Sequence, residues 1–135
     1  DVNAPGVLIA ACEGKALSCM EWLLTHGAQI TGSAQESGRT VSWNAFTHAA
    51  HFNKQCPGML ALLLEHGAEV DDVHPDEGNT LGSTALHNVA RQGDVAGITL
   101  LLEHGASTDI VNELGERPVD VAKNKNIRNL LKKSP

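Results

Sequence analysis

Leu23-Leu24-Thr25-His26-Gly27-Ala28 is the stretch whose reading decides the fold, because the chain writes it three times. It returns as Leu63-Leu64-Glu65-His66-Gly67-Ala68 and again as Leu101-Leu102-Glu103-His104-Gly105-Ala106. Each copy closes an apolar helical run: Cys19-Met20-Glu21-Trp22, then Met59-Leu60-Ala61-Leu62, then Ile98-Thr99-Leu100. A glycine placed just after the last turn of a helix adopts the left-handed backbone without the steric cost a Cβ imposes. Gly27, Gly67 and Gly105 are therefore expected to be structural helix terminators. A phrase that recurs at intervals of tens of residues marks units that stack.

Upstream of each copy lies a second, Ala-rich helical stretch. The clearest is Thr84-Ala85-Leu86-His87-Asn88-Val89-Ala90, followed by Arg91-Gln92-Gly93-Asp94. Thr84 is placed to cap that helix by accepting a bond from an orphan backbone N–H, a contribution of about 1 kcal/mol. Asn44-Ala45-Phe46-Thr47 holds the same place in the second unit, with Asn44 as the cap and Thr47 where the third unit has His87. The first unit, Val7-Leu8-Ile9-Ala10-Ala11-Cys12-Glu13-Gly14, lacks the opening motif. The last, Gly115-Glu116-Arg117-Pro118-Val119-Asp120-Val121-Ala122, puts Arg117 in the cap position and runs into a shortened helix over Ile127 to Lys132. Polar, irregular end units are what a stack needs where no neighbour covers its outer face.

This arrangement resembles the ankyrin repeat: a β-turn finger, a helix opening Thr-Pro-Leu-His, a short loop, and a second helix ending Leu-Leu-x-x-Gly-Ala. The tetratricopeptide repeat is the nearest rival, but it lacks the Gly-Ala ending, and its Trp and Tyr markers are missing from this chain. The resemblance covers essentially all of residues 1–135. It implies a single all-α helical solenoid domain, with stacked helix–turn–helix ankyrin repeats and β-turn or hairpin fingers. The repeats fall at about 4–40, 41–81, 82–114 and 115–135. The function it implies is protein–protein interaction through a concave face, made of finger tips and the exposed side of each first helix. The contact positions it carries over are the residues just before each cap, Trp43, Ser83 and Glu116. It also carries over the pairs before the inter-helix turn: Cys12 and Glu13, His51 and Phe52, Arg91 and Gln92. His87 is implied to be structural, hydrogen-bonding around the Thr84 cap.

The glycines also serve as a ruler. Such repeats recur at about 33 residues, yet Gly27 to Gly67 is 40 and Gly67 to Gly105 is 38. Gly27 to Asn44 and Gly67 to Thr84 are each 17, whereas Gly105 to Arg117 is 12. Two consecutive fingers therefore carry five extra residues each, and the other two extras fall in Asn53-Lys54-Gln55-Cys56-Pro57-Gly58. Insertions in a repeat array map to loops, often on the binding face, although a lengthened surface loop also costs little entropy. The first long finger, 29–42, is small and polar with Glu36 and Arg39 as its charges. The second, 69–81, holds Glu69, Asp71, Asp72, Asp76 and Glu77 around His74, and its charge would attract a basic segment of a partner.

Composition narrows the remaining classes. A hydrophobic fraction of 41% supports a folded core, and that core must be aliphatic, with two Trp, two Phe and no Tyr. The formal charge of −6 is uneven: residues 1–122 hold all 16 acids but only five of the ten bases. The other five, Lys123, Lys125, Arg128, Lys132 and Lys133, cluster at the end, as cations do at a helix C-terminus. An acidic body repels a phosphate backbone, so nucleic acid is not expected as a partner. No stretch has the length and apolarity of a signal peptide or membrane span. Cys12, Cys19 and Cys56 form no Cys-x-x-Cys pair, which fits reduced thiols in the cytoplasm or nucleus. The start at Asp1 reads as a piece of a longer protein.

No nucleophile elbow, phosphate loop or dinucleotide fingerprint is present, so no catalysis and no cofactor are expected, and the domain reads as a monomer. His26, His66 and His104 share one slot in three repeats. A spacing of about 8–10 Å between packed helices is too wide for shared zinc ligation, which leaves them as helix-end residues bonded to local carbonyls. His48 and His51 are three apart and could share a helix face, with Cys56 or His74 as further ligands of a metal. An alternative of another class is a regulatory or substrate-docking segment of a larger multidomain enzyme.

Overall fold

The computed structural model of the chain describes residues 7–73 and 82–132, and describes only the backbone of Ser33, Ala34, Glu36, Val41, Ser42 and Trp43. The short helices come in pairs. In chain order they are α1 (Val7–Glu13) with α2 (Leu17–Thr25), α3 (Ala45–Ala50) with α4 (Met59–Glu65), and α5 (Ala85–Gln92) with α6 (Val95–Glu103). A 3-10 turn over Pro118–Val121 precedes α7 (Lys125–Lys132). First helices lie side by side, α1 on α3, α3 on α5, and α5 on the 3-10 turn, while each packs on its own second helix. The arrangement is a helical repeat stack, as the thrice-written phrase implies.

Caps decide where the helices begin. The Asn44 carboxamide oxygen accepts from the backbone N–H of Phe46 at 3.1 Å and of Thr47 at 3.2 Å. The Thr84 hydroxyl accepts from His87 N–H at 3.3 Å, and Asp94 accepts from Gly97 N–H at 3.0 Å to open α6. The ends follow the repeated phrase. Gly27, Gly67 and Gly105 hold φ of 94°, 94° and 84°, the region where a side chain is strained. The histidine before each glycine bonds through Nδ1 to the carbonyl four residues back: His26 to Trp22 at 2.8 Å, His66 to Leu62 at 3.0 Å, and His104 to Leu100 at 2.9 Å. These three histidines complete the helix ends.

The extra length of the first finger becomes a β-hairpin. β1 (Thr31–Glu36) pairs antiparallel with β2 (Arg39–Asn44), from Thr31 opposite Asn44 to Glu36 opposite Arg39. Ser37 and Gly38 close it with φ of 51° and 79°, the two successive positive values of a tight hairpin turn whose twist matches the strands. The final unit departs from expectation in the other direction. Its first helix contracts to the single 3-10 turn, opened by Arg117 N–H donating to the Asp120 carboxylate at 2.9 Å. Its second helix starts at Lys125, two residues before the expected Ile127, with Asn124 accepting from Ile127 N–H at 3.0 Å.

The core is a seam of small and aliphatic side chains. Ala45, Ala49 and Ala50 on α3, with Ala85 and Ala90 on α5, are buried and let the first helices approach closely. Met20, Met59, Leu60, Leu63, Ile98 and Leu101 fill the layer beneath, and Phe46 is fully buried among them. Side chains then bridge the repeats. Asn88 donates to Thr47 O at 2.9 Å, and Asp71 accepts from Ser107 N–H at 2.9 Å. The two-residue insertion is part of this bridging, because Asn53 is buried, donates to Asp94 at 2.8 Å and accepts from Leu60 N–H at 3.2 Å. It thereby locks the second unit to the cap of the third.

Replacing Asn53 with Ala leaves a buried carboxylate oxygen and a buried N–H without their partner. The expected cost is about 2–3 kcal/mol of unfolding free energy, measured by urea titration. The exposed neighbour change Lys54→Ala is expected to stay within about 0.5 kcal/mol. Equal effects at the two positions would show that the insertion is a neutral loop.

Candidate protein-binding surface

The turns within the helix pairs lie at one end of the stack, and the hairpin of the first finger leaves from the other. At the junction of the first two repeats the turn residues form a cluster. His48 Nε2 sits 3.1 Å from the Glu13 carboxylate, across the repeat boundary. The His48 ring tilts against Phe52 at a centroid distance of 5.6 Å, and His51 stands 6.3 Å from His48 and 6.5 Å from Phe52. Lys15 completes the group, its ammonium 5.8 Å from the Phe52 ring centroid. Phe52 and His51 are half-buried, with Glu13 and Lys15 exposed. Three of these five, Glu13, His51 and Phe52, are contact positions named from the sequence. The sequence pattern does not single out Lys15, and it offers His48 only as a metal ligand.

The third repeat corrects one expectation. Arg91 and Gln92 are half-buried at the end of α5, and the Gln92 carbonyl accepts from Lys54 Nζ at 3.2 Å. Arg91 folds back, donating to Asn88 at 3.2 Å and to the Ser83 hydroxyl at 3.3 Å. Ser83 itself is fully buried, so it supports Arg91 and is withdrawn as a surface contact. The small hydroxyl fits beneath the guanidinium, which covers it.

The fingers are divided. Arg39 is exposed at the start of β2, where its backbone faces Glu36, and Trp43 lies opposite Gly32 in the register. Between the first two fingers lies a cavity of about 400 Å³, bordered by Ile30, Thr31, Phe46, His66, Glu69 and Asp72. Glu69 is exposed and Asp72 half-buried, but Asp71 is spent on the Ser107 N–H and does not act as part of a free acidic cluster. His74, Asp76 and Glu77 lie outside the described residues. No three His, Cys, Asp or Glu side chains converge as a metal-sized group among the described residues. Cys56 instead donates to Lys15 O at 3.6 Å.

Thr84 and His87 hold the third repeat against the fourth. Thr84 N–H donates to His87 Nδ1 at 3.1 Å, and the Thr84 hydroxyl lies 2.8 Å from the same nitrogen. Nδ1 is therefore an acceptor, which leaves the proton on Nε2 to donate to Glu116 O at 2.8 Å. Glu116, named as a contact from the sequence, is half-buried and contributes its carbonyl to this link. Burial pushes the His87 pKa below its ordinary value, against the opposing pull of the Glu116 carbonyl.

Helix pairs joined by short turns and stacked through their first helices define a helical-repeat scaffold. Residues 46–102 match the family model described as "Ankyrin repeats (many copies)". The ankyrin repeat protein nuc-2 of Neurospora crassa is 32% identical over 103 residues, covering 76% of this chain and 9% of that protein. Human B-cell lymphoma 3 protein is 26% identical over an alignment of 151 positions, covering 90% of this chain and 33% of that protein. The crystal structure of the ankyrin repeat domain of Bcl-3, described as a member of the IkappaB protein family, matches with a TM-score of 0.72 at 28% identity. That match spans 93% of this chain and 50% of the other. The chain belongs to the ankyrin-repeat family and is a protein-interaction module. It spans only 9% and 33% of the length of these two relatives. Among the described residues, no helix is long and apolar enough to cross a membrane.

The His87 link makes stability depend on pH. Neutral His87 is favoured in the fold, so the unfolded chain takes up the proton first as pH falls below about 6.5. Its contribution is complete above that value and is lost as pH falls through the lowered folded pKa. The urea midpoint is expected to drop between pH 7.5 and pH 5, and His87→Gln to be less stable at pH 7.5 but to show a shallower drop. Parallel pH dependences in the two proteins would contradict this assignment.

Proposed function

We propose that this domain holds a partner protein, with no catalysis of its own, on the face formed by its finger tips and the exposed ends of its first helices. The observation that carries the reading is Phe52. Its ring is half-exposed at the junction of two repeats, packed against the edge of the core and held between Lys15, His48 and His51. A pre-positioned aromatic of this kind contributes heavily to binding because little side-chain freedom is lost on contact. Glu13, Arg91 and Gln92 extend the surface to either side, and Glu36, Arg39 and Trp43 extend it onto the first finger. The second finger, with Asp72, His74, Asp76 and Glu77, would face a basic segment of the partner. The domain acts as a monomer and takes no nucleic acid. Its three cysteines, none of them in a disulfide, support a place in the cytoplasm or nucleus.

The test is the affinity of a partner recovered by pull-down with the intact chain. Alanine at Trp43 or at Phe52 is expected to weaken binding by about 2 kcal/mol or more, roughly thirtyfold, with the urea midpoint retained. Unchanged affinity in the folded double variant would refute this surface.

A further inference from the structure

The charge of the chain is not only lopsided in sequence but sorted in space. Residues 1–122 hold five of the ten bases, and three of those five, Lys15, Lys54 and Arg91, fall where a first helix gives way to a second. Lys123 and Lys125 occupy the same place in the last repeat. These turns are contiguous. The Lys15 ammonium reaches forward to Phe52 in the next repeat, and Lys54 reaches forward to the Gln92 carbonyl in the third. Lys123 leans back, its chain alongside Gly93 and its backbone N–H on Ala90 O at 2.9 Å. Lys15, Lys54, Lys123 and Lys125 are all exposed. The carboxylates that share this edge are engaged: Glu13 faces His48, and Asp94 is buried, capping α6 and accepting from Asn53.

We propose that this edge is a docking strip for an acidic peptide segment of the partner, with carboxylates three residues apart and an apolar side chain between them lying on Phe52. The spacing follows from the fold. The Lys15 and Lys54 ammonium groups each reach one repeat forward, so they are separated by about one helix packing distance, roughly 8–10 Å. A peptide in the polyproline II conformation rises about 3.1 Å per residue with three residues per turn, so side chains three residues apart point the same way and cover that distance. Phe52 sits beneath the first of these cations and supplies the apolar contact. A peptide is favoured over a nucleic acid because the chain as a whole is acidic, at −6, and the cations are single points one repeat apart. This inference rests on the reading that the domain binds a protein, and adds the chemistry of what it binds.

The experiment uses the whole chain and fluorescein-labelled synthetic peptides, read by anisotropy. One peptide has Glu at every third position with Leu between, a second has the same composition with its Glu residues consecutive, and a third has Lys in place of Glu. The spaced acidic peptide is expected to bind most tightly, more weakly as salt is raised. The double change Lys15→Glu with Lys54→Glu should weaken it about tenfold or more, while Lys132→Glu, away from the strip, leaves it unchanged. Circular dichroism and the thermal midpoint establish that the double variant is folded. Equal binding by the double variant, equal binding of the clustered peptide, or tighter binding of a single-stranded oligonucleotide would overturn the proposal. The pull-down partner separates this failure from that of the broader reading. A partner that loses affinity with Phe52→Ala and Trp43→Ala but not with the lysine reversals leaves the protein-binding face standing and removes the strip.

Discussion

The structure depends on each repeat satisfying the polar groups of its neighbour. Its helices are six to nine residues long, shorter than the roughly 12–15 residues at which an isolated helix becomes even marginal in water. None could persist alone. What holds them is burial of small side chains between first helices, together with side-chain bridges that cross each boundary. Asn88 reaches Thr47 O, His87 reaches Glu116 O, Asn53 reaches Asp94, and Asp71 receives Ser107 N–H. A buried polar group costs heavily when its partner is removed. Each of these bonds therefore fixes the register between repeats as well as adding to stability.

That coupling explains why the candidate surface sits where two repeats meet. A single helix end can present one or two side chains in uncertain rotamers, but a boundary can hold them from both sides. Phe52 belongs to the second repeat, and its neighbour Lys15 comes from the first. His48, which packs on Phe52, is itself fixed by Glu13 of the first repeat. Asn53 immediately afterwards is pinned to the third. The insertion that lengthens this turn thus keeps Phe52 beside a rigid anchor, and the array presents a pre-positioned aromatic next to the Lys15 cation.

How much of this was legible in the sequence follows from the range of the interactions. Helix ends were readable because their causes are local: the Gly after the last turn, and Asn44 and Thr84 before the first. His87 was readable through the family resemblance, which supplied its role around the cap. The hairpin length was detectable as an excess, although the closing Ser37-Gly38 turn was not singled out. Asn53 was not readable, since its donor bond runs to a residue 41 positions away and a polar residue in a loop gives no sign of burial. Ser83 failed for a related reason: the position before a cap faces outward unless a neighbour such as Arg91 folds over it. The carboxylates of the second finger looked equivalent in sequence, and only the fold shows Asp71 committed to the third finger.

The central claim is that recognition is carried by the face of finger tips and helix turns, with the repeated helix-end phrase serving as scaffold. Amide hydrogen exchange of the whole chain, with and without its bound partner, tests this most directly. Exchange is expected to slow at residues 51–56 and 91–93 and in the hairpin between Thr31 and Asn44, with little change along α2, α4 and α6. Protection concentrated on the outer side of the second helices, around the exposed Trp22 and Val95, would contradict it.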